Sequence, residues 1–81
     1  MIDSMVLTEI VHERDRQDAK WGVRGHSPKT WLPIIGEEFG ELCQAINKTQ
    51  IIQYREELIH VAASAIAAAE AFDRAVEKLE N

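Results

Sequence analysis

Very little in this chain can cross-link or stiffen it. Cys43 is the only cysteine, which excludes an intrachain disulfide and points to a reducing, cytoplasmic setting. No supporting triad accompanies it, so Cys43 reads as a small apolar residue, buried or half-buried, rather than a nucleophile. No apolar run approaches the ~20 residues that span a bilayer, and no signal peptide is recognisable, so no membrane association is expected. Positive charge is scarce: nine Lys and Arg stand against fourteen Asp and Glu, for a net charge of -5. That balance argues against binding a nucleic-acid polymer. It leaves room for a nucleotide, because a bound divalent metal inverts the local sign. Prolines number two and glycines four, all between Gly22 and Gly40, so both ends of the chain are free of helix breakers.

At 81 residues the chain makes one domain, residues 1–81. A domain of this size buries only about 60% of the surface its unfolded form exposes. With a disulfide excluded, metal binding and oligomerisation remain as supports.

Periodicity predicts an all-α fold of three helices. The first runs from about Ile2 to Asp18, with Ile2, Val6, Leu7, Ile10 and Val11 as its apolar stripe and Glu9, His12 and Arg16 outside it. The segment from Lys20 to His26, with two glycines, reads as a loop. The second helix starts at Pro28 behind the N-cap Ser27 and reaches about Asn47, with Pro33 in its early turns. After a short turn, with Thr49 as cap, a third helix runs to about Leu79. On it Tyr54, Leu58, Val61, Ala65, Phe72, Val76 and Leu79 form a large apolar stripe, and Ser64, Ala68, Ala71 and Ala75 a small-residue face beside it. A helix apolar or small around most of its circumference needs cover on several sides. The expected architecture is a helical hairpin plus an N-terminal helix, assembled into a four-helix-bundle-type homodimer or homotetramer.

The chemistry concentrates in Gly36-Glu37-Glu38-Phe39-Gly40-Glu41-Leu42. At helical spacing Ile35, Phe39, Leu42 and Ile46 share a face. Glu38 falls within that apolar arc near Trp31 and Ala45, Glu41 at its edge, and Glu37 towards solvent. Two carboxylates three residues apart are neighbours on a helix. Burying both would force a proton onto one unless a cation sits between them, and Mg²⁺ takes carboxylate oxygens. Glu57 and His60 repeat the spacing on the third helix. A short turn makes the two helices antiparallel, and Glu41 and Glu57 lie at similar distances from it.

Three ordered segments resemble a known family. Glu37-Glu38-Phe39-Gly40-Glu41 followed by Glu57-Leu58-Ile59-His60 resembles the EExxE…ExxD signature of the MazG-like, all-α nucleoside triphosphate pyrophosphohydrolases. The stretch His26-Ser27-Pro28-Lys29, then Leu32, leading into Gly36–Leu42, is similar to the approach to that motif in small members of the group. Glu13-Arg14-Asp15-Arg16-Gln17-Asp18-Ala19-Lys20-Trp21-Gly22 is similar to the start of many short ones. The resemblance covers nearly the whole chain.

It implies metal-dependent hydrolysis of a (deoxy)nucleoside triphosphate to the monophosphate and pyrophosphate. By the same resemblance Glu38, Glu41 and Glu57 hold Mg²⁺, or Mn²⁺ in its place. Glu37 is a further ligand or orients the attacking water. His60 stands where the family has aspartate, and neutral imidazole is a poorer ligand for Mg²⁺. Lys20, Arg24 and Lys29 are candidates for phosphate oxygens, Trp21 for the base, and His26 for substrate contact. Two other readings compete. Glu57-x-x-His60 is the pair that di-iron bundles use, and the histidine also fits a bundle that kept its fold without activity.

Overall fold

The computed structural model describes residues 1–80. Among them are three α-helices and no strand, as the periodicity predicts. Helix α1 spans Ser4–Trp21, α2 spans Pro28–Asn47 and α3 spans Ile51–Glu80. None is long and apolar enough to cross a membrane among the described residues.

Local chemistry explains the helix ends, with three departures from expectation. Asp3, rather than Ile2, opens α1: its carboxylate accepts the N–H groups of Met5 at 2.9 Å and Val6 at 3.1 Å, satisfying two first-turn donors. The helix runs past Asp18 to Trp21, so Lys20 and Trp21 are helical, and it stops at Gly22. There φ is +74°, a value glycine adopts at no steric cost. Ser27 precedes α2 as expected, but its hydroxyl makes no capping bond to the backbone.

Thr49 is the third departure. It caps the C-terminus of α2 rather than the N-terminus of α3. Thr49 N–H donates to Ile46 O at 3.1 Å and Gln50 N–H to Ala45 O at 2.8 Å, with Thr49 in the left-handed region at φ +58°. This paired closure normally carries glycine, and a β-branched residue there is strained.

Helix α3 is the axis of the fold. Both α1 and α2 pack on it and not on each other. Glu9 of α1 meets Arg55, and further along Arg14 meets Glu70, so α1 runs in the same sense as α3. Helix α2 runs against it. The face that α3 offers is made of Ala63, Ser64, Ala67 and Ala71, all buried. Small side chains let helix axes approach closely. The large stripe is covered only in part: Tyr54, Val61 and Val76 are half-buried, while Leu58, Phe72 and Leu79 are exposed.

On the other helices too the expected stripes are covered in part, with Val6, Ile35 and Leu42 half-buried. On α2, Trp31 and Ala45 are buried and Glu38 half-buried, while Phe39 and Ile46 are exposed. Cys43 also lies on the outward side and is exposed. On α1 the seam runs Val6, Ile10, Glu13, Gln17, a heptad-like spacing that passes from apolar to polar. Ile10, Glu13 and Gln17 are buried, and Ile2, Leu7 and Val11 are exposed.

The chain is extended for its length. Its radius of gyration is 14.0 Å, where a compact domain of this size gives about 12 Å. It exposes 6061 Å², where a compact monomer of 9.2 kDa exposes about 4,900 Å².

Replacing Thr49 with glycine removes the left-handed strain but loosens the unfolded chain. Thr49→Gly is expected to stabilise by about 0.5–1 kcal/mol, read as a higher Tm in thermal unfolding. A lower Tm would mean that the threonine side chain is itself supporting the turn.

Candidate functional site

Half-way along α3 the alanine seam carries polar residues, and the three helices bring their polar groups to one level there. Ser64, fully buried on α3, donates its hydroxyl to Glu38 Oε1 at 2.9 Å. Glu38, not Glu41, is therefore the α2 carboxylate that meets α3. Its second oxygen, Oε2, is buried without a hydrogen-bond partner, as is Oε2 of Glu57. His60 Nδ1 lies 3.4 Å from that Glu57 oxygen, and His60 Nε2 lies 3.7 Å from Glu13 Oε1. Both are ion-pairing distances when the imidazole is protonated, without hydrogen-bond geometry.

Burial holds the Glu38 carboxyl above its ordinary value of 4.5. The Ser64 hydrogen bond and the nearby His60 oppose this, while the charges of Glu57 and Glu41 reinforce it. An isolated carboxylate out of water is costly, and a proton or a cation relieves it.

Glu13 is in the opposite condition. Arg16 donates to it twice, from Nε at 2.8 Å and from Nη2 at 2.6 Å. Gln17 Nε2 adds a third bond at 3.1 Å. The Arg16 bonds hold the Glu13 carboxyl below its ordinary range against the effect of burial, with Gln17 and His60 assisting. Glu13 is a settled anion, whereas Glu38 is an unsettled one.

Between α1 and α2, over α3, lies a cavity of about 350 Å³. It is lined by Glu37, Glu38 and Glu41 of α2, by Glu13, Arg16, Gln17 and Trp21 of α1, and by Arg24 and His60; Arg16 is paired with Glu13. Lys20 reaches the rim by placing Nζ 4.7 Å from the Trp21 ring. Glu37, Glu38, Glu41, His60, Trp21 and Arg24 are thus brought around one space, with Lys20 at its edge. Glu57 stands behind His60 rather than on the wall. Two candidates stand apart: His26 packs edge-on against Trp31, ring centres 5.2 Å apart, and Lys29 is exposed on the first turn of α2. Neither lines the cavity.

Glu13, Arg16, Gln17 and Ser64 carry no role in the sequence reading. A signal for the α1 pair existed in the continuation of the Val6–Ile10 spacing to positions 13 and 17. For Ser64 it was the hydroxyl one helical turn beyond His60 in an alanine run.

Among the described residues, no three His, Cys, Asp or Glu side chains converge into a ready-made metal cage. The orphaned oxygens of Glu38 and Glu57 are nonetheless the kind of donor a hard cation satisfies. On that test Glu38 and Glu57 each have one oxygen to give a divalent ion, and no third side chain among the described residues converges with them.

A carboxyl with a raised folded-state pKa carries no penalty at low pH. It acquires a full one as pH climbs from its unfolded value of 4.5 through the raised value. Glu38→Gln cannot ionise, so without added metal it is expected to melt above the parent at pH 8, with a smaller difference at pH 4. Thermal unfolding across that range checks this; a difference that does not grow with pH would mean that the Glu38 charge is not penalised.

No family model, no curated protein and no solved structure matches this chain. Its role therefore rests on the geometry just described and on the order of its acidic segments.

Proposed function

We propose that the chain is a metal-dependent nucleoside triphosphate pyrophosphohydrolase, working as a homo-oligomer. The observation that carries this reading is Glu38: a carboxylate with one buried, unpartnered oxygen, lining a cavity that Trp21 and Arg24 also line. Carboxylates around one space with an arginine that has no carboxylate partner among the described residues suit a ligand that brings a metal to the former and phosphates to the latter. The resemblance of Glu37–Glu41 and Glu57–His60 to the EExxE…ExxD pattern supports the same assignment.

In this reading Glu38, Glu41 and Glu57 hold Mg²⁺ or Mn²⁺. When bound, such an ion neutralises phosphate charge and acidifies a water. The protein's own groups do the rest. Arg24 and Lys20 bind phosphate oxygens through charge-assisted hydrogen bonds. Trp21, half exposed at the rim, offers a face for the base. Glu37, exposed and on the cavity wall, is free to orient the attacking water. No covalent nucleophile is required, since such transfers proceed by positioning and electrostatics.

The oligomer rests on exposed apolar surface. The excess over a compact monomer, ~1,100 Å² on the scaling above, is comparable to the ~800 Å² each partner gives to a standard interface. Leu32, Phe39, Phe72 and Leu79 supply large exposed side chains for it.

A second reading, a helical oligomer without activity, draws on His60. Placed between Glu13 and Glu57, a protonated imidazole supplies the counter-charge that a metal otherwise would. The two readings separate in a metal titration, because only a ligand of the native state raises Tm.

Pyrophosphate release from a panel of NTPs and dNTPs, with Mg²⁺ or Mn²⁺, is the direct test. Release is expected with at least one substrate, and Glu38→Gln is expected to lower it by ~10²-fold or more, since metal charge stabilisation supplies several kcal/mol. No release with either metal, and no metal-induced rise in Tm, would favour the inactive bundle. Light scattering at micromolar concentration is expected to give a multiple of the 9.2 kDa chain mass; a monomer would remove the oligomer from the proposal.

A further inference from the structure

Arg24 is held in place from several sides, yet its charge is unspent. Arg14, Arg16 and Arg55 each pair with a carboxylate; among the described residues Arg24 pairs with none. Its guanidinium lies 4.9 Å from the Trp21 ring and 4.7 Å from the Trp31 ring. Its Nη2 donates to Gln17 Oε1 at 3.2 Å, and its backbone carbonyl accepts from Arg74 at 3.3 Å. Such restraint is unusual for an arginine in the irregular segment between α1 and α2. In a chain of net charge -5, an arginine that lines a cavity without a carboxylate partner is available to an external anion.

Gln17 is what connects that arginine to the core. It is 2% exposed and uses both ends of its amide: Nε2 donates to Glu13 Oε2 at 3.1 Å and Oε1 accepts from Arg24. An ionised carboxylate can only accept. Glu13 therefore fixes the amide with nitrogen inward and oxygen towards Arg24, and the settled charge on Glu13 keeps it so.

We propose that Gln17 is a positioning residue for a polyphosphate subsite. With the two indole faces it fixes the plane of Arg24, leaving the other guanidinium N–H donors for phosphate oxygens. Lys20 Nζ, 4.7 Å from the same Trp21 ring, is a second cation beside the first. Arg16, 5.9 Å from that ring, is already paired with Glu13; the two cations at one indole left without a carboxylate among the described residues suit a di- or triphosphate chain. This deepens the triphosphate reading above and rests on it for the class of ligand.

The test is binding, separate from turnover. Inorganic tripolyphosphate is titrated into the full chain with chelator present, followed by tryptophan fluorescence. Gln17→Met, close in volume and without the amide, and Arg24→Gln are each expected to weaken binding at least fivefold. The double variant is expected to be no weaker than Arg24→Gln alone, because Gln17 acts through Arg24. Unchanged affinity in Gln17→Met, or losses that simply add, would overturn the proposal. Should Gln17→Met fail to fold, Arg24→Lys carries the test. It keeps the charge and loses the flat fork, so a fivefold loss is expected and parental affinity would overturn the assignment. Tripolyphosphate binding that depends on Gln17, without hydrolysis of any triphosphate, would remove the enzyme reading and leave the subsite standing. Hydrolysis with an unchanged KM in Gln17→Met would do the reverse.

Discussion

A carboxylate taken out of water must find donors, a proton or a cation, and Glu38 has found one donor for two oxygens. Ser64 satisfies Oε1, and nothing among the described residues satisfies Oε2. The residues around it follow from that shortage. Glu57 and Glu41 add negative charge, which raises the cost, and His60 offsets it. Helix α1 contributes a hub, Glu13, whose own charge is fully compensated by Arg16 and Gln17. The outcome is one settled anion and one unsettled anion at the same level of the fold, with a cavity beside them. Only the unsettled one has coordination capacity to offer.

Stability and site draw on the same helix. The packing face of α3 is small, with Ala63, Ala67 and Ala71 lying against the neighbouring helices. Small faces permit close approach but bury little apolar area, and burial is worth roughly 25 cal/mol per Å². The buried apolar set is correspondingly short: Ile10, Trp31, Ala45 and three alanines of α3. Surface ion pairs such as Arg55–Glu9 set the register of α1 on α3 and contribute little energy. A chain with so small a core and so much apolar surface outside it is suited to finish its burial against another subunit.

The polar half of the α1 seam couples these two demands. Glu13 and Gln17 occupy positions that in a coiled coil would be apolar. Their burial is tolerated because each hydrogen-bonding group meets a partner. The network they form leads from Glu13 through Gln17 to Arg24, with His60 beside Glu13, so α1 is tied to the segment that follows it. A replacement at position 13 or 17 would therefore disturb packing and site together.

Much of the helical plan was legible in the residues themselves. Periodicity located three helices; Pro28 marked the start of the second, and the glycines marked the first break. The i,i+3 spacing of Glu38 and Glu41, and of Glu57 and His60, placed each pair on one helix surface. These are local properties, set by the 3.6-residue turn and by side chains within a few positions of one another. Which face of α3 packs against the other helices was not legible, because an all-round apolar or small helix has two plausible inner faces. The choice between the Leu58–Phe72 stripe and the alanine seam depends on how closely α1 and α2 can approach. Likewise, pairing Ser64 with Glu38 and bringing His60 beside Glu13 depend on groups 26 to 47 residues apart. Helix identity comes from neighbours in sequence, as do Arg16 and Gln17, the donors to Glu13; the donor to Glu38 comes from a neighbour in space, and only the packing of α2 on α3 brings Ser64 to it.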